Sequence, residues 1–147
     1  MSGPVVIVGA GQAGYALAVS LRRADPGRPV TLIGDEPHPP YERPPLSKAL
    51  MQPGAEAGAI PQFLPADAYA ERGVTLLTGR RATRIDLAAR RLHLDDGSAL
   101  AWGDLVLATG GEARRLEVPG AERLRVLRRL ADVAPIRAAM AAGRRLA

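Results

Sequence analysis

An apolar run that leads directly into a glycine-rich turn is the feature that most constrains the fold of this chain. Residues 5–8 read Val-Val-Ile-Val, and Gly9, Gly11 and Gly14 follow with the spacing Gly-x-Gly-x-x-Gly. An unbroken β-branched run is typical of a strand that is buried on both faces of a parallel sheet. The pattern therefore predicts a buried strand, a tight turn and then a helix over 15–24.

The same glycines predict a cradle for the phosphates of a dinucleotide. Gly9 would form the tight turn, Gly11 would let phosphates approach the backbone, and Gly14 would let the helix pack on the strand. The alternative is a purely structural turn before an amphipathic helix, because glycine-rich turns are common. The context favours the cradle, since a second strand at 29–33 is followed by Asp35, at about the 20-residue spacing of the acidic residue that binds ribose hydroxyls.

Length and composition limit the classes of protein. The chain has 147 residues, of which 47% are hydrophobic, and this suits one globular domain. It contains no cysteine, which excludes disulfides and thiolate zinc sites, and we expect no metal site. No apolar stretch reaches the length of a membrane span, and no signal-peptide pattern is present. We therefore expect a cytoplasmic protein that does not bind a membrane.

The net charge of +5 is the difference between 20 basic and 15 acidic residues, and most of the basic residues stand in scattered pairs such as Arg80-Arg81. Such pairs are typical of solvated faces, and an acidic protein partner is the alternative. Nucleic acid is disfavoured because only 3% of residues are aromatic. Lys48 is the single lysine. It is either a chance survivor or a residue at a site that needs an ammonium in place of a guanidinium.

The segment 35–48 contains five prolines and predicts an ordered loop without regular structure. Ser47 is a candidate cap for a short helix that contains Lys48 and continues to Met51. Residues 52–61 are rich in Gly, Ala and Pro and indicate a surface excursion.

The rest of the chain predicts a sheet whose second crossover is a β-meander. The expected elements are a helix at 66–71, strands at 74–77, 81–86, 90–94, 100–101 and from 104, a hairpin turn at 95–98, and a helix at 130–142 with Asp132 near its start and Gly143 as its C-cap. This order indicates an α/β, Rossmann-like fold with a parallel sheet. Most nicotinamide-binding domains repeat βαβ where the meander stands, so the meander favours flavin over nicotinamide.

Three stretches together resemble a known family. They are the glycine motif, the loop over 34–48 with its Arg-Pro-Pro-Leu-Ser-Lys sequence, and the Leu-Val-Leu-Ala-Thr-Gly-Gly run at 105–111. They look like the FAD-binding segment of the pyridine nucleotide-disulfide oxidoreductases, in the branch of the putidaredoxin, rubredoxin and biphenyl-dioxygenase ferredoxin reductases. The resemblance covers nearly the whole chain and implies a three-layer FAD/NAD(P)-binding fold.

The resemblance also implies which residues contact FAD. Those along the pyrophosphate and the adenosine ribose would be Gly9, Gly11, Ala13, Gly14, and Asp35 or Glu36. Those elsewhere along the cofactor would be Arg43, Lys48, Ala82, Thr109, Gly110 and Arg128. Lys48 would lie beside the isoalloxazine and is the catalytic candidate, because an ammonium there favours the reduced, anionic ring.

The resemblance implies an enzyme that passes electrons from NAD(P)H through FAD to an iron–sulfur ferredoxin or rubredoxin. Disulfide reductases of the same superfamily carry a cysteine pair near the flavin, and 46–51 has none, so that activity is excluded. The choice between NADH and NADPH and the oligomeric state stay open.

Members of this family are far longer than this chain. We therefore expect 1–147 to be the N-terminal part of a FAD-binding domain, with a core over about 1–115. Residues 116–147 would be a linker and helix leading to a nicotinamide-binding domain outside the chain. A fragment or truncated reading frame of this kind is expected to bind FAD weakly and to be inactive alone. The alternatives are a non-catalytic flavin- or nucleotide-binding module, or an NAD-binding Rossmann oxidoreductase.

Overall fold

A computed structural model describes residues 3–55 and 60–141. The chain divides into two compact units. The first contains the described residues of 1–41 and 62–110, and the second those of 42–61 and 111–147. The first unit holds both sheets, and the second is built from short helical segments.

A four-stranded parallel sheet forms the centre of the first unit. Its strands are β1 (Val5–Val8), β2 (Val30–Ile33), β3 (Val74–Leu77) and β7 (Asp104–Leu107), in the order β3-β2-β1-β7. Val5 lies opposite both Val30 and Asp104. All four residues of β1 are buried, since it has a strand on each side and a layer on each face. The predicted buried strand is confirmed.

Two helices cover one face of this sheet. They are α1 (Gln12–Ala24) and α2 (Asp67–Glu71). Their residues Ala18 and Tyr69 pack with the side chains that β1 and β2 direct to this face, Val5, Ile7 and Leu32 among them. Helix α1 begins three residues before the predicted start, because Gly14 fits inside its first turn instead of ending the turn that precedes it.

An antiparallel meander covers the other face. Its strands are β4 (Ala82–Asp86), β5 (Arg91–Leu94) and β6 (Ala99–Ala101). Leu92 and Leu94 pack with Val6, Val8 and Ile33, the alternate residues of β1 and β2. Side chains alternate between the faces of a strand, so β1 and β2 contribute to both cores at once. The predicted α/β, Rossmann-like fold, with three layers and a meander as crossover, is confirmed.

In the second unit, two predictions about the proline loop are wrong. The segment has regular structure at its end, a 3₁₀ helix at Pro44–Ser47, and a second one follows at Ala49–Met51. Proline suits a first helical turn because its φ is already close to the helical value. The Ser47 hydroxyl donates to the Pro44 carbonyl at 3.5 Å and does not cap the next segment.

The last helix that the structure describes begins later than predicted. A 3₁₀ turn at Leu130–Asp132 leads into α3 (Val133–Ala141). The Asp132 carboxylate accepts the backbone N–H groups of Arg128 and Arg129 at 2.8 and 2.7 Å, which confirms its place at the start. The predicted C-cap, Gly143, lies outside the described residues, as do residues 56–59 of the predicted excursion. Among the described helices, none has the length and apolar character that a membrane crossing requires.

Tyr69 yields a prediction about stability. Its side chain is 1% exposed, and its hydroxyl has no hydrogen-bond partner among the described residues. Burial, helped by Tyr15, raises the pKa of Tyr69 far above the usual 10.0. We expect Tyr69→Phe to raise the free energy of unfolding by about 1 kcal/mol at neutral pH, because it removes an unsatisfied buried group.

The same variant should change the pH dependence. A raised pKa in the folded state contributes stability that is complete below pH 10 and is lost as the pH rises above it. Wild type should therefore lose more stability than Tyr69→Phe between about pH 8 and about pH 10.5, as measured by urea unfolding. Tyr41→Phe is the control. It should lower the free energy of unfolding, because the Tyr41 hydroxyl donates to Glu36 at 2.7 Å and this hydrogen bond is lost. A less stable Tyr69→Phe would mean that a buried water satisfies the hydroxyl.

Candidate functional site

Gly9 ends β1 in a conformation that only glycine adopts easily. Its φ is +114°, and a Cβ atom there would lie 2.1 Å from the Ala108 carbonyl oxygen and 2.9 Å from the Thr109 nitrogen. The Gly9 N–H donates to the Ile33 carbonyl at 2.8 Å. The chain therefore turns sharply between the ends of β2 and β7, which brings Gly9 and Thr109 together.

Gly14 lets α1 approach this turn. A Cβ atom at Gly14 would lie 1.9 Å from the Gly9 carbonyl oxygen and 3.1 Å from the Leu32 side chain. No shift of a flexible side chain relieves the first contact, because the Gly9 oxygen is a backbone atom and the backbone of α1 fixes the position of the Cβ atom. The packing of the chain itself thus requires glycine at both positions.

Gly11 is different, because no contact among the described residues requires a glycine there. It has ordinary extended backbone (φ −88°, ψ −169°), and a Cβ atom there would meet none of the described atoms within 4 Å. It is the N-cap of α1, whose first turn carries no acidic residue and whose end has no side-chain cap among the described residues. Such an end presents N–H groups and a partial positive charge to an anion. The cradle therefore fits a phosphate-bearing ligand that would approach at Gly11 and the neighbouring Ala13.

Two acidic residues follow β2 at the carboxyl edge of the sheet, where ligands of this fold class bind. Asp35 forms an ion pair with Arg81, with 3.0 Å between Oδ2 and Nη2. Glu36 accepts the Tyr41 hydroxyl through its Oε2. Ala82, the predicted contact at the adenine end, follows Arg81 directly as the first residue of β4. The first unit thus brings Asp35 close to the segment that contains Ala82.

The remaining residues of this unit follow β7. Thr109 and Gly110 come directly after its end, and the Ala108 N–H donates to the Val8 carbonyl at 2.7 Å. The ends of β1 and β7 therefore lie side by side at the same edge as Asp35.

The second unit holds the other three candidates. Arg43 donates through Nη1 to the Arg128 carbonyl, and the Arg128 Nε donates to the Gly111 carbonyl at 3.0 Å. Arg43 and Arg128 are therefore in contact. Lys48 lies between the two 3₁₀ helices and is exposed, while Leu46 and Leu50 on either side are buried. The contacts described above do not involve the Lys48 ammonium, so its role stays a prediction.

Sequence reasoning missed two partners of the acidic residues. Arg81 was expected on a solvated face as half of an Arg-Arg pair, but the two members have different roles. Arg80 pairs with Asp96 at 2.9 Å in the hairpin turn, whereas Arg81 pairs with Asp35. Tyr41 stands in the proline loop five residues after Glu36. In the sequence, the only sign of a role for Arg81 is its position next to Ala82. That sign becomes informative only once the structure shows that Arg81 and Asp35 are neighbours.

Comparison with known proteins decides the family. The model of the pyridine nucleotide-disulphide oxidoreductase family matches residues 3–147. The chain belongs to this family. A family member needs a dinucleotide cradle at its first βα turn, and the geometry at Gly9, Gly11 and Gly14 has that form.

Among relatives in this family, the ferredoxin–NAD(+) reductase component of the p-cumate 2,3-dioxygenase system of Pseudomonas putida is 44% identical over 145 residues, which are 97% of this chain and 36% of the relative. Rhodocoxin reductase of Rhodococcus erythropolis is 44% identical over 117 residues, covering 80% of this chain and 27% of the relative. The chain thus spans about a third of the length of the curated relatives it matches.

Solved structures agree with this assignment. The ferredoxin reductase for the CYP199A2 system of Rhodopseudomonas palustris superposes with a TM-score of 0.85 and 40% identity, over 95% of this chain and 34% of that chain. The reductase in a covalent putidaredoxin reductase–putidaredoxin complex gives a TM-score of 0.80 and 38% identity, over 92% and 34%.

The two glycines of α1 should respond differently to the same substitution. We expect Gly14→Ala to lower the free energy of unfolding by at least about 2 kcal/mol, because the new methyl group overlaps the Gly9 carbonyl. Gly11→Ala should cost about 1 kcal/mol or less, because its methyl group meets open space and only the N-cap preference for glycine over alanine is lost. Urea unfolding of both variants and the wild type measures the difference. Equal losses would contradict the conclusion that Gly11 is free of packing constraints.

Proposed function

We propose that this chain is the FAD-binding portion of an NAD(P)H-dependent reductase of a ferredoxin or rubredoxin. The observation that carries the proposal is the open side of Gly11 at the uncapped start of α1. A glycine that the fold itself does not require is explained by a ligand phosphate that needs to approach the backbone. The name of the p-cumate 2,3-dioxygenase relative, a ferredoxin–NAD(+) reductase component, supports this choice of reaction.

The residues of the first unit would hold the adenosine and pyrophosphate part of FAD. The N–H groups at the start of α1, including that of Ala13, would donate to the pyrophosphate. Gly9 and Gly14 would shape the cradle by letting the turn and the helix pack closely. Asp35 or Glu36 would accept hydrogen bonds from the ribose hydroxyls, and Ala82 would contact the adenine end. Thr109 and Gly110 would pass beside the dinucleotide.

Arg43, Arg128 and Lys48 would serve the rest of the cofactor. Bound FAD supplies the chemistry, since it accepts a hydride and releases single electrons. The contact of Arg43 with the Arg128 carbonyl would hold one guanidinium in place while Arg128 reaches the cofactor. Lys48 would be the catalytic residue, because an ammonium stabilises the negative charge that a flavin gains on reduction.

The proposal extends to partners, organisation and location. The electron donor would be NAD(P)H, bound outside residues 1–147, and the acceptor an iron–sulfur ferredoxin or rubredoxin. Residues of about 1–115 would form the core of the FAD-binding part, with 116–147 as a linker and helix. A cytoplasmic location belongs to the proposal because nicotinamide nucleotides are held inside the cell.

Binding of FAD by the 147-residue chain tests the proposal. We expect quenching of flavin fluorescence on titration with FAD, reversible on gel filtration, and no binding of NADH. Gly11→Val should abolish FAD binding, because its side chain would fill the space of the phosphates, while it lowers the melting temperature only slightly through the weaker N-cap. Gly27→Val, in the exposed turn between α1 and β2, is the control, since a Cβ atom there would meet only the Asp25 side chain among the described residues, at 3.6 Å.

Two results would contradict this. Binding of NADH in preference to FAD would favour a nicotinamide-binding Rossmann oxidoreductase. Binding of neither ligand would leave the glycine motif as a structural turn.

Lys48 generates a separate prediction. In the chain loaded with FAD, Lys48→Ala should lower the midpoint potential of the flavin and change FAD affinity little, because the ammonium favours the reduced ring electrostatically. Lys48→Arg keeps the positive charge, so its flavin should have a midpoint potential close to that of the wild type. Redox titration followed by absorbance measures both. Equal midpoint potentials in Lys48→Ala and wild type would mean that Lys48 has no electrostatic role at the flavin.

A further inference from the structure

We propose that Arg81 is a positioning residue that holds the Asp35 carboxylate for the adenosine ribose and thereby makes the site prefer FAD to FMN. The inference rests on the proposed function, since it concerns the same cofactor site. Arg81 would act through Asp35 and would not be required for the flavin end of the cofactor.

Arg81 is fixed by its main chain and by its side chain. Its N–H donates to the Asp95 carboxylate at 3.1 Å, and its carbonyl accepts the Asp95 N–H at 2.9 Å. Its guanidinium meets the Asp35 carboxylate at 3.0 Å. Asp95 belongs to the hairpin turn between β5 and β6, so the meander anchors the backbone from which Arg81 reaches Asp35.

The segment after β3 also runs along the segment after β2. The Gly34 N–H donates to the Leu77 carbonyl at 2.8 Å, and the Arg80 N–H donates to the Gly34 carbonyl at 2.9 Å. The Gly79 N–H donates to the Glu36 carbonyl at 2.9 Å. Backbone hydrogen bonds on both sides of Asp35 therefore place it beside Arg81. The position of the ion pair is thus set by the backbone of the fold.

The charge pair suits a role in binding better than a role in folding. The side chains of Asp35 and Arg81 are 34% and 60% exposed. Pairs as open to solvent as this contribute little to stability. A carboxylate has two oxygens with several acceptor sites, so it can accept from a guanidinium and from a ribose hydroxyl together. Arg81 would fix its orientation and so lower the entropy cost of binding the ribose.

The consequence is selectivity between flavins. FMN ends at its phosphate and has no adenosine ribose, so a loss of orientation at Asp35 would affect FAD alone. ADP holds the ribose and the pyrophosphate but no flavin, so it should respond as FAD does. This difference separates a positioning role from general damage to the unit.

The test compares Arg81→Gln, Asp35→Asn and the double variant with the wild type in titrations with FAD, FMN and ADP. We expect Arg81→Gln to weaken FAD and ADP binding roughly fivefold and to leave FMN binding unchanged. It should have no further effect in the Asp35→Asn background, because the carboxylate that it orients is then absent. Arg81→Lys, which keeps a charge and a donor, should recover most of the affinity.

Arg84→Gln is the matched control. Arg84 lies three residues further along, has a side chain 61% exposed, and pairs with Asp86 and not with Asp35. It should leave the affinity for all three ligands unchanged. Thermal unfolding should show that Arg81→Gln folds as the wild type does.

Independent losses from Arg81→Gln and Asp35→Asn that add in the double variant would overturn the inference and leave the proposed function intact. Equal loss of FAD and FMN affinity in Arg81→Gln would also overturn it. A wild type that binds neither FAD nor ADP would instead overturn the proposed function, and the inference with it.

Discussion

The close approach of α1 to the end of β1 is the constraint on which the rest of the first unit depends. A Cβ atom at Gly14 would come within 1.9 Å of the Gly9 carbonyl oxygen, so the helix can start there only without a side chain. This contact places the start of α1 directly above the carboxyl end of the sheet. It therefore creates the packing of α1 on β1 and β2 and, with the same residues, places the helix N-terminus where we propose that the phosphates bind. Gly11 lies between the two glycines and is the one that the fold does not need.

The meander has a second part in building the candidate site. Its strands bury the face of the sheet that α1 leaves uncovered, with Leu92 and Leu94 against Val6 and Val8. Its hairpin turn also fixes the main chain of Arg81 through Asp95. A crossover helix would cover the sheet equally well but would not bring a hairpin turn to the segment beside Asp35. The meander, whose presence in the sequence favours flavin over nicotinamide, is thus also the element that fixes the backbone of Arg81 beside Asp35.

Most of the elements in the first unit could be predicted because their signals are local. The β-branched run at 5–8, the turn at 95–98 and the short strands of the meander each have a period or a turn chemistry of their own. The predictions failed where two signals compete. The prolines predict no regular structure at 44–47, yet the fixed φ of proline suits a 3₁₀ turn. The glycine motif predicts a helix that starts after Gly14, yet α1 begins at Gln12 and contains Gly14. For the site, the sequence indicated Asp35 and Glu36 but not their partners Arg81 and Tyr41.

By itself, the sequence determined the order of the elements, the buried central strand and the glycine cradle, because each depends on residues that are close along the chain. The sequence also indicated Asp35 and Glu36, whose types and spacing predict a ribose site that stays a proposal. Only the tertiary structure decided which glycines serve packing and which faces open space, and which arginine of the 80–81 pair meets Asp35. The first outcome depends on how tightly α1 and the residues after β7 pack against the turn at Gly9. The second depends on backbone hydrogen bonds between the segments after β2 and β3, which bring residues far apart in sequence together.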